Sequence, residues 1–248
     1  MSPNVQVSVI IPVMNEAENI GDLMQEIHQA LAEGPTYEIV VVDDGSSDGT
    51  LARAEETATT LGCRFQGIAH ARNLGQSAAV KTGACHATGI WLVTLDGDGQ
   101  NDPADIPALL ERARGLAATD YVIAGYRRQR RDTRWKRFQS RLANRVRNAL
   151  LHDGVPDSGC GLKLLPRRTF LALPWFDHAH RFVPALVRAI GGNVVVVDVN
   201  HRHRTRGVSK YSAWNRAWVG IVDLIGVWWL IHRLPSLGWP SPVEAERR

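Results

Sequence analysis

The stretch Leu95-Asp96-Gly97-Asp98-Gly99-Gln100-Asn101-Asp102-Pro103 places two carboxylates one residue apart with a glycine between them. That spacing lets both carboxylates turn toward one hard cation, and Mg2+ or Mn2+ suits two carboxylates and the amide oxygen of Gln100. Such ions are usually shared with substrate phosphates, so Asp96, Asp98 and Gln100 read as the ligands of a diphosphate-binding metal. A helix-loop-helix calcium loop would require glycine at its sixth position and glutamate at its twelfth, where Asn101 and Pro107 stand. A plain surface turn rich in Asp and Gly is the alternative. It gives no reason for acids to gather directly after the apolar run Ile90-Trp91-Leu92-Val93-Thr94. A second acidic group, Asp43-Asp44-Gly45-Ser46, ends another apolar run. A carboxylate at Asp44 can accept from a base N–H or a ribose hydroxyl.

These groups must be held by strands and helices in alternation. Val5 to Val13, Tyr37 to Val42, Arg64 to Ala69, Ile90 to Leu95 and Tyr121 to Ala124 read as strands. Between them, Ile20, Leu23, Met24, Ile27 and Leu31 mark one helix face, with Asn15 as its expected N-cap and Glu18 as capping-box partner. Leu51, Ala54, Ala58 and Leu61 mark a second helix that ends at Gly62, and Gln76 to Ala87 a third that carries Lys81. Asp102 and Pro103 open a fourth, burying Ile106, Leu109, Leu110 and Ala113. This order predicts an α/β fold, a mostly parallel sheet with helices on both faces. Asp44 and Asp96 then lie at the carboxyl edge of the sheet, where open α/β sheets bind ligands. Beyond Gly125 come a basic amphipathic helix, a short strand Leu162 to Leu165, a helix Phe182 to Ile190 and a buried strand Val194 to Val199.

The bulk numbers limit the function classes. The 248 residues carry a formal charge of +4 and a pI near 9.2, so anionic partners are favoured. Cys63, Cys85 and Cys160 are too few and too scattered for a disulfide scaffold or a four-thiolate zinc site, and suit a reducing compartment. The first residues lack the basic segment of a signal peptide. No Gly-x-Gly-x-x-Gly follows the first strand, and Gly159-Cys160-Gly161 is followed by a leucine where the third glycine would stand, so a nicotinamide or flavin site is not expected. His178 with His180, and His201 with His203, lack cysteine or carboxylate partners at zinc-ligand spacing, and His180 and His201 read as loop-ordering residues.

The basic helix bears Trp135, Phe138, Leu142, Val146 and Ala149 on one face, and Arg134, Arg137, Arg141 and Arg145 on another. A solvated basic face, nucleic-acid binding and docking on an anionic membrane surface are the three readings. No nucleic-acid motif accompanies the charge, so nucleic acid is not an expected partner. The apolar segment Trp218 to Leu234, with Asp223 inside it, falls short of the roughly twenty residues of a membrane span. Trp228 and Trp229 beside His232 and Arg233 suit a headgroup boundary, and a helix packed on the core is the alternative. The expected division is 1–215 for the main domain, 216–234 for an interface or packing helix, and 235–248 for a disordered tail.

Five ordered segments resemble the family 2 glycosyltransferases with a GT-A fold, and among them the dolichol-phosphate-mannose-synthase-like branch. They are Val9-Ile10-Ile11-Pro12-Val13-Met14-Asn15-Glu16, Val41-Val42-Asp43-Asp44-Gly45-Ser46-Ser47-Asp48-Gly49-Thr50, Arg72-Asn73-Leu74-Gly75, Asp96-Gly97-Asp98-Gly99-Gln100 and Gly207-Val208-Ser209-Lys210-Tyr211. The resemblance implies a nucleotide-diphospho-sugar transferase fold with added amphipathic C-terminal helices. It implies that Pro12, Met14, Glu16, Val42, Asp44, Asp96, Gly97, Asp98, Arg204 and Lys210 bind the nucleotide sugar. It implies a Mg2+ or Mn2+ ion on Asp96, Asp98 and Gln100, and a catalytic set of Asp98, Arg127, Arg204 and Lys210. Met14 replaces a frequent aromatic and His203 a frequent proline, which leaves the donor base and one loop open.

The implied reaction moves a sugar from a GDP- or UDP-sugar to a polyprenyl phosphate, with inversion, on the cytoplasmic side of a membrane to which the chain binds peripherally or by shallow insertion. An acceptor phosphate is already anionic, so no strong base is required. Arg127, Arg204 and Arg141 are expected near that acceptor, with Asp157-Ser158-Gly159 at the same end. A base role for Asp157 would arise only with a hydroxyl acceptor. Two alternatives stand beside this: a soluble transferase acting on a sugar hydroxyl, and a non-catalytic nucleotide- or membrane-binding module.

Overall fold

The computed structural model describes residues 5–127, 144–202 and 213–234. Its centre is a seven-stranded sheet. The strands are β1 (Val7–Val13), β2 (Tyr37–Asp43), β3 (Arg64–Ala69), β4 (Trp91–Thr94), β5 (Tyr121–Arg127), β6 (Lys163–Pro166) and β7 (Asn193–Val199). Their spatial order is β3-β2-β1-β4-β6-β5-β7. β6 runs antiparallel to both neighbours and every other pair is parallel. The order reverses on either side of β1, so the crevice between the carboxyl ends of β1 and β4 is the switch point at which such sheets take ligands.

Side chains alternate across each strand, and both sheet faces are covered. Val7, Val9, Ile11, Ile39, Val41, Val93 and Leu95 face one core, closed by α1 (Ala17–Leu31), α2 (Thr50–Leu61) and α4 (Ile106–Arg114). Ile10, Val40, Val42, Leu92 and Leu165 face the other core. That side is closed by α3 (Gln76–His86), α6 (Arg167–Ala172), α7 (Val183–Ala189) and α8 (Ala213–Arg233). Residues 144–151 form a helical segment, α5, ahead of the loop that leads to β6. The predicted inward faces of α1 and α4 are all buried, whereas Leu51 and Leu61 of α2 only lean on the core.

Three local expectations are corrected. Asn15 does not cap α1: it takes a positive φ of 54°, and Glu16 occupies the cap position without a side-chain bond. The loop after β2 serves the helix start instead. Ser46 Oγ accepts from Asn15 N at 2.8 Å, Thr50 Oγ1 from Glu16 N at 2.9 Å, and Asp48 Oδ2 from Ala17 N at 3.1 Å. Burial alone would raise the Asp48 carboxyl, but bonds from the Thr50 hydroxyl and the Ala17 amide outweigh it and hold it low. The strand Val194 to Val199 is not buried; as the sheet's edge, β7 leaves Val196 36% exposed. In α5 the residues turned inward are Arg147 and Leu151, while Val146 and Ala149 of the predicted apolar face are exposed.

Candidate nucleotide and metal site

The carboxyl ends of β1, β2 and β4 bring the two acidic clusters to one edge. Asp44 is buried just past β2. Its Oδ1 accepts from Leu74 N and faces His70 Nδ1, each at 2.8 Å, and its Oδ2 accepts from Gly75 N at 2.8 Å. His70 is braced in turn by Thr82 Oγ1 at 2.9 Å. In this structure Asp44 therefore orders residues 70–75, the loop that leads into α3.

Asp96 follows β4 and meets the first residue of α3, with Gln76 Nε2 donating to its Oδ1 at 2.7 Å. On its other side the carboxylate lies against the backbone of Gly161, so that a Cβ at 161 would collide with it. Gly97 is needed just as closely, since a Cβ there would sit 2.7 Å from Val13 Cγ1 and 3.1 Å from the Pro12 carbonyl oxygen. Asp98 Oδ1 accepts from Gln100 N at 3.1 Å and closes the turn. Residues 200–202 strap this turn from outside: Arg202 N donates to Gln100 O at 2.9 Å, and the Arg202 guanidinium bridges Glu26 and Asp102 at 2.6 and 2.7 Å.

Two buried cations stand behind the acids. Lys163, on β6 opposite Thr94, donates through Nζ to the Cys160 carbonyl. Arg127, at the end of β5, makes a two-pronged pair with Asp157: Nε to Oδ2 at 2.6 Å and Nη2 to Oδ1 at 3.0 Å. Burial and the neighbouring charge of Asp98 push the Asp96 carboxyl up from its ordinary value, against the pull of Lys163 and Arg127. Burial likewise lowers Lys163. Burial would lower Arg127 too, but Asp157 outweighs it and raises the guanidinium.

Pro12, Gln76, Thr94, Asp96, Lys163 and His180 line a cavity of about 20 Å3 beneath the edge, room for about one water. His180 is held by Ser77: their side chains meet at 2.6 Å and His180 N donates to Ser77 Oγ at 3.2 Å. Burial, with Lys163 and Arg181 nearby, keeps the imidazole far below its ordinary value and so neutral.

The structure thus unites Pro12, Met14, Glu16, Asp44, Asp96, Gly97, Asp98, Gln100 and Arg127 along one sheet edge. Val42 lies one step below it, fully buried under α3. Arg204 and Lys210, the basic stretch from Arg128 to Leu142, His203 and the tail from Pro235 lie outside the described residues. Sequence reading missed Gln76, Lys163, Gly161 and His70. A lone lysine inside the leucine run Leu162 to Leu165 was the one local signal among them.

The donor chemistry suits a divalent cation. Two carboxylates whose charges oppose one another gain by sharing a cation, and Mg2+ is commonly held by one or two carboxylates together with substrate phosphates. Among the described residues no cluster of three or more His, Cys, Asp or Glu side chains forms a closed protein cage. The site therefore fits an ion shared with a ligand.

Residues 8–172 match glycosyl transferase family 2. The undecaprenyl-phosphate 4-deoxy-4-formamido-L-arabinose transferase of Sodalis glossinidius is 37% identical over 212 residues, covering 84% of this chain and 63% of that protein. The dodecaprenyl-phosphate galacturonate synthase of Rhizobium johnstonii is 31% identical over 228 residues, covering 90% and 67%. The chain thus spans about two thirds of the length of these curated relatives. Among solved structures, glucosyl-3-phosphoglycerate synthase of Mycobacterium tuberculosis with Mn2+, UDP and phosphoglyceric acid superposes with a TM-score of 0.64 at 18% identity, covering 96% of this chain and 80% of that one. Mannosyl-3-phosphoglycerate synthase of Rubrobacter xylanophilus gives 0.63 at 17%, covering 96% and 76%. The fold is the GT-A fold, and the chain belongs to glycosyl transferase family 2.

Proposed function

We propose that this chain is an inverting glycosyltransferase that moves a sugar from a nucleotide-diphospho-sugar to a polyprenyl phosphate. The observation that carries the reading is the placing of Asp96 and Asp98 at the carboxyl end of β4, beside Asp44 and in front of Lys163 and Arg127. The acceptor class is supported by the two curated relatives, whose names give undecaprenyl and dodecaprenyl phosphates. Residues 1–215 are the transferase unit in this reading, and 216–234 the surface-seating helix.

Asp96, Asp98 and Gln100 would hold a Mg2+ or Mn2+ ion. When bound, the ion supplies positive charge to the departing diphosphate. Pro12, Met14, Glu16, Val42 and Asp44 surround the nucleoside, with Val42 contributing through its main chain. Lys210 is assigned to the diphosphate, and Arg204 to the diphosphate or the acceptor phosphate, by the family resemblance alone, since both lie outside the described residues. An oxygen of the lipid phosphate attacks the anomeric carbon while the bond from that carbon to the diphosphate oxygen breaks, and the nucleoside diphosphate leaves with the electron pair. No proton moves. Arg127 draws the acceptor phosphate into line behind the anomeric carbon. Asp157 accepts both of Arg127's prongs, so its role is to aim that guanidinium. A carboxylate so committed is a poor general base, which favours a phosphate acceptor over a sugar hydroxyl.

The lipid acceptor calls for a seat on a membrane, on its cytoplasmic side. Among the described residues no helix is long and apolar enough to cross one. One face of α8 packs on the domain through Leu224, Val227, Leu230 and Ile231, while Ile221, Val222, Ile225, Trp228 and Trp229 form an exposed stripe. Arg233 stacks on Trp229 at 5.7 Å at the end of that stripe. An apolar face ending in tryptophan and a cation suits shallow insertion among anionic headgroups.

A panel of UDP- and GDP-sugars with a short polyprenyl phosphate and Mg2+, read as lipid-linked sugar, tests the reading. One donor is expected to give product. Transfer only to free sugars would replace it with the hydroxyl-acceptor reading.

A further inference from the structure

Two acids of the donor site, Asp44 and Asp96, are held by three consecutive residues. Leu74 N and Gly75 N donate to Asp44, and Gln76 donates to Asp96. The next residue, Ser77, is buried and gripped by a distant segment. Trp175 Nε1 donates to the Ser77 carbonyl at 2.9 Å, and Ser77 and His180 exchange hydrogen bonds at 2.6 and 3.2 Å. Since His180 is neutral and its backbone N–H already donates to Ser77 Oγ, the serine hydroxyl proton is free to point at Nδ1.

The same segment reaches the other way, to α8. His178 takes a left-handed φ of 63°, a conformation that a non-glycine residue holds only when its surroundings impose it. Its Nδ1 lies 2.9 Å from Asp223 Oδ2. Asp223 is the sole acid in a helix that is otherwise apolar from Trp218 to Leu230. A carboxylate in such a helix is costly unless compensated; its Oδ2 is buried without a hydrogen bond, and the group that approaches it is His178, on the segment that grips Ser77.

We propose that Trp175–His180 is a strut through which the seating of α8 fixes residues 74–77, and that Ser77, His178, His180 and Asp223 are positioning residues for Asp44 and Asp96. The inference rests on the reading of Asp44 and Asp96 as donor-site groups. It adds that the helix meant for the membrane and the site meant for the nucleotide are mechanically joined. None of the four residues touches the reacting atoms.

Amide hydrogen exchange on the full chain, without ligand, tests the joint itself. In Asp223→Ala, exchange at the amides of residues 74–79 is expected to quicken by about tenfold, while the central strands keep their protection. Asp223→Glu should restore it, and Asp223→Asn serves as a second variant should the alanine form fail to fold. Titration of UDP and GDP, each with Mn2+, tests the consequence. Ser77→Ala and Asp223→Ala should each weaken binding by about three- to tenfold with an unchanged melting profile of the core. Unchanged exchange at 74–79 in a folded Asp223→Ala protein would overturn the strut, as would unchanged nucleotide binding in both variants. Failure of the native chain to bind either nucleotide would instead count against the proposed function, and exchange alone would then decide the strut.

Discussion

Asp96 is the residue on which the site turns, and its surroundings are unusually tight. The Gly161 backbone lies directly against its carboxylate, so a methyl group at 161 would meet the free end of a side chain and not the main chain. Gly161→Ala should therefore leave the fold nearly intact while displacing Asp96. The expected result is a melting temperature within a few degrees of native, with transfer reduced by about a hundredfold, the scale of losing one well-aimed electrostatic group. Equal losses of stability and activity would contradict this. At this scale the sequence was half legible. Asp44, Asp96 and Asp98 stood out because they follow apolar runs that had to be strands. Gln76, Lys163 and Gly161 did not, because they reach Asp96 from elements 20, 67 and 65 residues away in the chain, and the long-range pairing that delivers them leaves no local pattern.

The strands were legible as elements for a simple reason: both sheet faces are covered, so β1, β2 and β4 are apolar runs broken only by a few polar residues such as Ser8 and Glu38. The direction of β6 was not, since a strand of four residues carries nothing in its own sequence that tells parallel from antiparallel. Nor was the true cap of α1, because the groups that serve it come from the loop after β2. One interaction at the amino edge of the sheet joins elements in the same hidden way. Glu38 of β2 accepts from Ser8 of β1 at 2.5 Å, from Thr88 N before β4 at 2.6 Å and from Gln66 of β3 at 3.1 Å. Burial would raise this carboxyl, but those donors outweigh it and hold it below its ordinary 4.5. Its folded value is depressed, so its contribution to stability is present in full above about pH 4.5 and is lost as pH falls through the lower folded value. Glu38→Gln should cost about 1.5–3 kcal/mol near neutral pH, and the gap from native in urea melts should narrow below pH 4. A constant gap across that range would show that the charge is not what matters.

At the scale of the whole molecule, the two halves of the proposed reaction approach from different sides. The parallel half of the sheet presents the acids, and the C-terminal half presents Arg127 with Asp157 and the doubly apolar helix α8. Of that second half the sequence disclosed the chemistry and not the arrangement: Asp223 shows there only as an acid inside an apolar segment, and the fold brings its Oδ2 to 2.9 Å from His178 Nδ1. The exposed stripe of α8 makes a direct forecast. Trp228→Glu with Trp229→Glu, at positions 42% and 55% exposed, should leave the fold unchanged and lower binding to anionic phospholipid vesicles by at least about tenfold in a flotation assay. Undiminished flotation would remove α8 as the seat. In the proposed reaction Asp96 and Asp98 are the clamp of a sugar-nucleotide site that serves a lipid phosphate. The most direct measurement is the rate of lipid-linked sugar formation by native protein and by Asp98→Ala, both shown to be folded, with saturating Mg2+ and the productive donor. Asp98→Ala should lower that rate by about a thousandfold or more; a folded Asp98→Ala protein with native turnover would rule the clamp out.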